Sequence, residues 1–216
     1  MIRIALTKGR LEEESVGLFN KSGYDASELA DKESKGRKLL FNIKNAGAGI
    51  EVVLAKAADV ITYVEHGVCD AGIVGKDTIM EHGKSFYEVL DLKFGRCRFA
   101  LAGLKTKEKD FYSGYSQKII ATKYPNVAKR YFNEKNTDVE IVKIDGSVEL
   151  APILGLADGI VDLVETGNTL KENGLVIYEE IAQISARVIV NKAGIKLKKT
   201  EIDDFIGRIS KNVKNI

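Results

Sequence analysis

Short apolar runs alternate with segments of helical periodicity along the whole chain, and glycine rather than proline marks most of the joints. Ile2–Leu6, Ile50–Leu54, Ala71–Val74 and Gly159–Val164 are too short for helices and nearly continuous in apolar residues. Strands buried on both faces read this way. Leu39–Ile43 is predicted to pair with Ile50–Leu54 across the NAGAG turn, and Tyr87–Leu90, Arg98–Leu104, Lys118–Thr122, Val139–Ile144, Leu175–Glu180 and Ser185–Val190 are further strands. Arg10–Ser22 is predicted as a helix with Leu11, Val16 and Phe19 inward and Gly23 as its stop; Asp59–His66 is another, ended by Gly67. Asp77 is placed to cap a short helix to His82, and Pro125 fits the first turn of a helix to Phe132. Ser147–Ala157 is a helix that Pro152 should break or kink. In Thr200–Asn212, Ile202, Phe205, Ile206, Ile209 and Val213 form one stripe, and Thr200 with Asp203 resembles a capping box. The alternation predicts an α/β protein with mostly parallel sheets covered by helices.

With 216 residues the chain fits one large domain or two compact ones of roughly 100 residues each. Lys and Arg (33) nearly cancel Asp and Glu (31), which excludes the basic footprint of a duplex nucleic-acid binder. Tyr and Phe form no interleaved stacking stripe of the RNA-binding kind. No run approaches the roughly 20 apolar residues of a membrane span, and MIRIALTKGRLEEE turns charged too soon for a secretory signal. A soluble, cytoplasmic protein is expected. Cys69 and Cys97 are too few for a disulfide framework, and with His66 and His82 they give no zinc-site spacing. Cys97 reads as a small buried hydrophobe, and the two histidines as helix C-terminal residues.

Ligands of α/β sheets sit beyond the carboxyl ends of strands, which directs attention to the loops after Leu6, Val74 and Val164. The third reads Glu165-Thr166-Gly167-Asn168-Thr169 and leads into a helix. Gly167 lets the backbone turn and approach a ligand, successive N–H groups converge at the helix start, and Thr166 and Thr169 add hydroxyls. A phosphomonoester fits such a cradle. Asp162 and Glu165 nearby are acceptors suited to sugar hydroxyls or a magnesium-bound water. A ligand-free helix-capping turn has the same local sequence. After Leu6, Lys8 and Arg10 flank Gly9, two cations on a flexible turn; a basic surface turn looks alike. Gly72 and Gly75 with Asp77 bring backbone close either to a nucleotide or to a packed helix. Arg37 lies in the basic run Lys35–Lys38, and Arg96 and Arg98 bracket Cys97, where either arginine could meet a phosphate.

From Glu149 the chain reads ELAPILGLADGIVDLVETGNTL, which resembles the signature of the ATP phosphoribosyltransferases, the first enzymes of histidine biosynthesis. Glu149, Gly155, Ala157, Ile160, Asp162, Leu163, Thr166, Gly167, Thr169 and Leu170 fill its fixed positions across 22 residues. Asp145–Glu149, Ile4–Leu11, Asp70–Asp77, Gly95–Arg98 and Ala121–Pro125 are similar to other family stretches, so the resemblance spans essentially the whole chain. Thr7 stands where proline is usual, and Lys56 where arginine is usual; lysine keeps the charge but not the bidentate fork.

The resemblance implies two α/β domains of the type II periplasmic-binding-protein kind with a cleft between them. Residues 1–92 plus 179–216 would form domain I and residues 93–178 domain II. It implies condensation of ATP with 5-phosphoribosyl 1-diphosphate, with Mg2+. Asp162, Glu165, Thr166, Gly167, Asn168 and Thr169 would hold the sugar donor. Lys8, Arg10, Lys56 and Arg98 would meet the diphosphate and triphosphate, Lys8 facing the diphosphate. Arg37 would reach an active site across a homodimer interface, and Leu11, Gly72, Gly75 and Asp77 would lie on the nucleotide side. Long members carry an additional regulatory domain of roughly 80 residues. The length here implies the short form, which works in a hetero-oligomer with a regulatory protein resembling histidyl-tRNA synthetase. A non-catalytic ligand-binding module of the same fold and a salvage phosphoribosyltransferase are the alternatives. Salvage enzymes usually show two adjacent acids, whereas Leu163-Val164 separates Asp162 from Glu165.

Overall fold

The apolar runs assemble into two separate sheets. The computed structural model describes residues 1–31, 35–45, 47, 49–83, 85–113 and 116–213. The chain divides into two compact units, Met1–Gly95 with Ser185–Ile216, and Arg96–Ile184. Part of the predicted NAGAG turn, at 46 and 48, lies outside the described residues.

In the first unit the strands are β1 (Ile2–Thr7), β2 (Leu40–Ile43), β3 (Ile50–Ala55), β4 (Ala71–Gly75), β5 (Phe86–Asp91) and β11 (Ala186–Asn191). They are ordered β2-β3-β1-β4-β11-β5. Helices α1 (Arg10–Lys21), α2 (Ser27–Ala30), α3 (Ala57–Glu65) and α4 (Lys76–His82) are joined by α9 (Gly194–Leu197) and α10 (Lys199–Val213) from the returning segment. Alternate residues of β1 explain why its run is wholly apolar. Ile4 and Leu6 pack with Phe19 of α1 and Phe205 of α10, whereas Ala5 packs with Val60 and Val64 of α3. Phe19, Tyr24 and Phe205 meet edge-on or tilted at 6.1–6.3 Å between centroids, fastening the last helix to the first.

The second unit has β6 (Cys97–Leu104), β7 (Lys118–Thr122), β8 (Val139–Lys143), β9 (Gly159–Val164) and β10 (Leu175–Ile184), ordered β10-β6-β9-β7-β8. Its helices are α5 (Glu108–Ser113), α6 (Pro125–Glu134), α7 (Leu150–Ile153) and α8 (Asn168–Glu172). Pro125 opens α6 at its first turn, where a missing N–H costs nothing.

Several expectations need correction. The sheets are mixed, not mostly parallel: β3-β1-β4 and β9-β7-β8 are parallel, while β2, β5, β6, β10 and β11 pair antiparallel. Apolar content reports burial and carries no strand direction. The strand expected to end at Glu180 continues to Ile184 along β6, so the unit boundary falls at Ile184/Ser185. The other boundary is Gly95/Arg96. The helix expected over Ser147–Ala157 shrinks to the four residues of α7, with Pro152 inside its first turn, because the backbone is left-handed at Ser147 (φ 45°) and Gly155 (φ 76°) on either side. Asp77 lies in the first turn of α4, whose N-cap is Gly75, and Thr200 lies inside α10, so neither caps its helix. Cys97 is half-buried; Cys69 is the fully buried thiol, pushed up to about 11 by burial.

Candidate active site

In the second unit the loop after β9 turns at Gly167, whose φ of 83° and ψ of 3° place it in the left-handed region. A Cβ there would come no closer than 3.8 Å to Val164 Cγ1, so glycine is required by conformation and not by crowding. Gly167 is the N-cap of α8, and its carbonyl accepts from the Lys171 N–H at 3.1 Å. The first N–H groups of any helix lack intrahelical acceptors and face outward from the turn. With only five residues α8 contributes little dipole; its Asn168 N–H donates to the Thr166 hydroxyl at 3.4 Å, and Thr166 and Thr169 are exposed at the turn. Asn168 and Glu165 are also exposed.

Two cavities share this loop. One, of about 260 Å³, is lined by Glu149, Asp162, Glu165, Thr166, Gly167 and Thr169 among others. Asp162 is half-buried on β9, and its carboxyl is raised to about 6. Burial is the main cause and the Glu149 charge adds to it, against the Leu163 N–H and the Lys123 charge. The other, of about 570 Å³, brings Arg98, Lys105 and Lys171 beside Thr166 and Gly167. Arg98 reaches the loop because β6 pairs with β9, Arg98 opposite Val164. Its Nε lies 2.9 Å from Glu180 Oε1, near enough for an ion pair but not aligned for a hydrogen bond. The loop thus has acids on one flank and cations on the other. Glu149, Lys105, Lys171 and Lys123 were not singled out from sequence as site residues. Glu149 carried a signal as the first fixed position of the signature and Lys123 lay in the family-like stretch Ala121–Pro125, whereas Lys105 and Lys171 carried none.

In the first unit the structure gathers Lys8, Lys56 and Gly75 at the carboxyl ends of the adjacent strands β1, β3 and β4. The Lys8 N–H donates to the Ala55 carbonyl at 3.0 Å, and the Thr7 hydroxyl to the Ile73 carbonyl at 3.0 Å, tying the three ends together. Lys8, Arg10 and Lys56 are exposed; Arg10 Nε lies 3.3 Å from Glu14. Leu11 is half-buried in the first turn of α1. Arg37 is exposed and precedes β2, which runs antiparallel to β3, so it approaches the same sheet edge as Lys56. Gly72 does not join this edge. It is buried within β4, where a Cβ would fall 2.8 Å from Val60 and 2.9 Å from Val64, so packing under α3 accounts for it. Asp77 sits at the β4 end, its carboxylate folded back over Gly75. Among the described residues no three His, Cys, Asp or Glu side chains are grouped to hold a metal, and no helix is long and apolar enough to cross a membrane.

Each unit is a mixed α/β sheet packed with helices, and the second carries a glycine turn with acids on one flank and cations on the other. The periplasmic aliphatic sulphonate binding protein SsuA of Escherichia coli shares this fold at a TM-score of 0.58 and 11% identity, with 98% of this chain and 72% of that one covered. The family model described as HisG, ATP phosphoribosyltransferase, matches residues 56–211. An ATP phosphoribosyltransferase of Clostridium kluyveri is 61% identical over 215 residues, covering 100% of this chain and 95% of the relative. One from Clostridium botulinum (strain ATCC 19397 / Type A) is 57% identical over 213 residues, covering 99% of this chain and 98% of the relative. A solved ATP phosphoribosyl transferase (HisG:HisZ) complex from Thermotoga maritima contains a chain with a TM-score of 0.78 and 33% identity, with 100% of both chains covered. The chain belongs to the ATP phosphoribosyltransferase family. It is a transferase of the phosphoribosyl type.

Proposed function

We propose that the chain joins N1 of the adenine ring of ATP to the anomeric carbon of 5-phosphoribosyl 1-diphosphate, the first step of histidine biosynthesis. The N1–carbon bond forms as the carbon–oxygen bond to diphosphate breaks, and diphosphate leaves with the bonding pair. No protein nucleophile is needed. The chain must align two anionic substrates and stabilise charge growing on the leaving group.

The observation that carries the site assignment is the two-sided loop at Gly167. The sugar 5-phosphate sits on the Thr166–Thr169 turn, and Asp162 and Glu165, with Glu149 beside them, accept from the ribose hydroxyls. Arg98 supplies positive charge on the opposite flank. Lys8, Arg10 and Lys56 serve the diphosphate and triphosphate, Lys8 the diphosphate first. Leu11, Gly75 and Asp77 border the nucleotide. Asp162 or Glu165 would accept from the waters of a substrate-bound Mg2+, which would supply neutralising positive charge to the phosphates. Arg37 completes the active site of a second copy in a homodimer. By analogy with the Thermotoga HisG:HisZ complex, a histidyl-tRNA-synthetase-like regulatory subunit joins the assembly in the cytoplasm. The family match disfavours both the ligand-binding module and the salvage enzyme.

The loop assignment is tested by equilibrium binding of phosphoribosyl diphosphate to Thr169→Ala and Gly167→Val. Both should bind the donor about tenfold more weakly, the loss of one or two phosphate hydrogen bonds. Unchanged affinity in both variants refutes the assignment.

A further inference from the structure

We propose that Glu12 is a positioning residue for the reaction, holding the Lys8-Gly9-Arg10 turn in its working shape from beneath; this rests on the reading that Lys8 serves the diphosphate. Glu12 looks like one of three surface acids in the run Glu12–Glu14, yet it is only 6% exposed. Its carboxylate is shared between two segments. One oxygen accepts from the Gly9 N–H at 3.3 Å, and the other pairs with Lys35 Nζ. A carboxylate at the third helical position reaching back to the N-cap N–H is one half of a capping box. Gly9 has no side chain to supply the other half, so its N–H depends on Glu12 for this bond.

Packing against Gly9 restrains the turn little. Gly9 has φ +92°, and a Cβ built on it would meet no atom within 4 Å. A cavity of about 480 Å³ opens beside it, lined by Gly9, Glu12, Glu13, Val16, Leu29 and Lys35 among others. Packing therefore does not fix the turn. Backbone bonds hold its two ends, from Lys8 N–H to the Ala55 carbonyl at 3.0 Å and from Glu12 N–H to the Gly9 carbonyl at 2.9 Å. The Gly9 peptide between them is oriented by the Glu12 side chain, and this peptide sets the direction in which Lys8 leaves β1. Lys35 opens the basic run that contains Arg37, so the same carboxylate touches the segments that carry Lys8 and Arg37.

The test compares full-length Glu12→Gln, Glu12→Asp and Glu12→Ala with Lys8→Ala, in steady-state kinetics with ATP, phosphoribosyl diphosphate and Mg2+ and in Gly9 amide hydrogen exchange. Glutamine keeps an acceptor of the right reach. Aspartate keeps the charge but falls one methylene short. The expected result is near-normal kcat for Glu12→Gln. Glu12→Asp and Glu12→Ala should lose about tenfold in kcat with KM changed less than about threefold, because the misplaced charge matters most as diphosphate departs. Gly9 exchange should accelerate in Asp and Ala but not in Gln. Normal kcat in Glu12→Asp, or equal losses in Gln and Asp, overturns the proposal. If Lys8→Ala is impaired while Glu12→Asp is normal, only the positioning role fails; if Lys8→Ala is itself normal, the assignment of Lys8 fails first. Should Glu12→Ala not fold, the Gln and Asp pair decides.

Discussion

Replacing Asp162 with asparagine should make the protein more stable at neutral pH while weakening its hold on the sugar donor. The carboxyl is raised from an ordinary 3.8 to about 6, chiefly by burial. Two units correspond to about 3 kcal/mol of preference for the neutral form, an upper bound for a group that keeps some contact with water. The sign follows from proton linkage. Between about 4 and 6 the folded chain binds more protons at this site than the unfolded chain, so stability falls as pH rises through that window. Above about 6 the full cost of the buried anion is expressed. Asparagine has no such cost, so Asp162→Asn should gain about 1–3 kcal/mol at pH 7.5, and the gain should shrink to about a third of that by pH 4.5. At about 2–4 °C per kcal/mol for a chain of this size, thermal unfolding at the two pH values resolves the difference. Affinity for phosphoribosyl diphosphate should fall at the same time, since an amide is a poorer acceptor for ribose hydroxyls than a carboxylate. A variant that is less stable than the parent at pH 7.5 would refute this reasoning, because it would mean the anion is stabilised in place.

Asn191 is buried, donating to the Val64 carbonyl at 2.7 Å and accepting from the Ala193 and Gly194 N–H groups at 2.9 and 2.8 Å. Asn191→Ala leaves these groups unpaired and should cost about 2–4 kcal/mol in urea unfolding, with kcat retained in the folded fraction. Lys56 is exposed at the N-cap of α3, with room for a longer head group. Lys56→Arg should keep kcat/KM within about threefold and Lys56→Ala should lose about tenfold in steady-state assays, because charge at this strand end matters more than fork geometry.

The parts legible in sequence were those whose physics is local. The run Gly159–Val164 followed by Thr166-Gly167 gave strand, turn and helix start within a few residues, and Gly167 has the left-handed conformation that only glycine adopts readily. The stripe Ile202, Phe205, Ile209 and Val213 likewise marked a packed face, because helical periodicity needs no partner to be read. Long-range pairing was not legible. That Arg98 meets Val164 depends on β6 lying antiparallel beside β9, and nothing in either strand encodes that register. Lys105, at the end of β6, joined the loop by the same route, whereas Lys171 is there because it lies on α8 itself. Gly72 stood open in sequence between approach to a nucleotide and packing under a helix, and the valines of α3 fill the space that a side chain would take. Glu12 was hidden by its neighbours, since burial of one acid among three depends on Lys35 arriving from elsewhere in the chain.

The most direct measurement is product formation. The chain, with and without the proposed regulatory subunit, is incubated with ATP, phosphoribosyl diphosphate, Mg2+ and pyrophosphatase, and the near-ultraviolet absorbance of phosphoribosyl-ATP is followed. Absorbance should grow with ATP and stay flat when guanine or hypoxanthine replaces it. No product under either condition, or product from a free purine base instead, would contradict the proposed reaction.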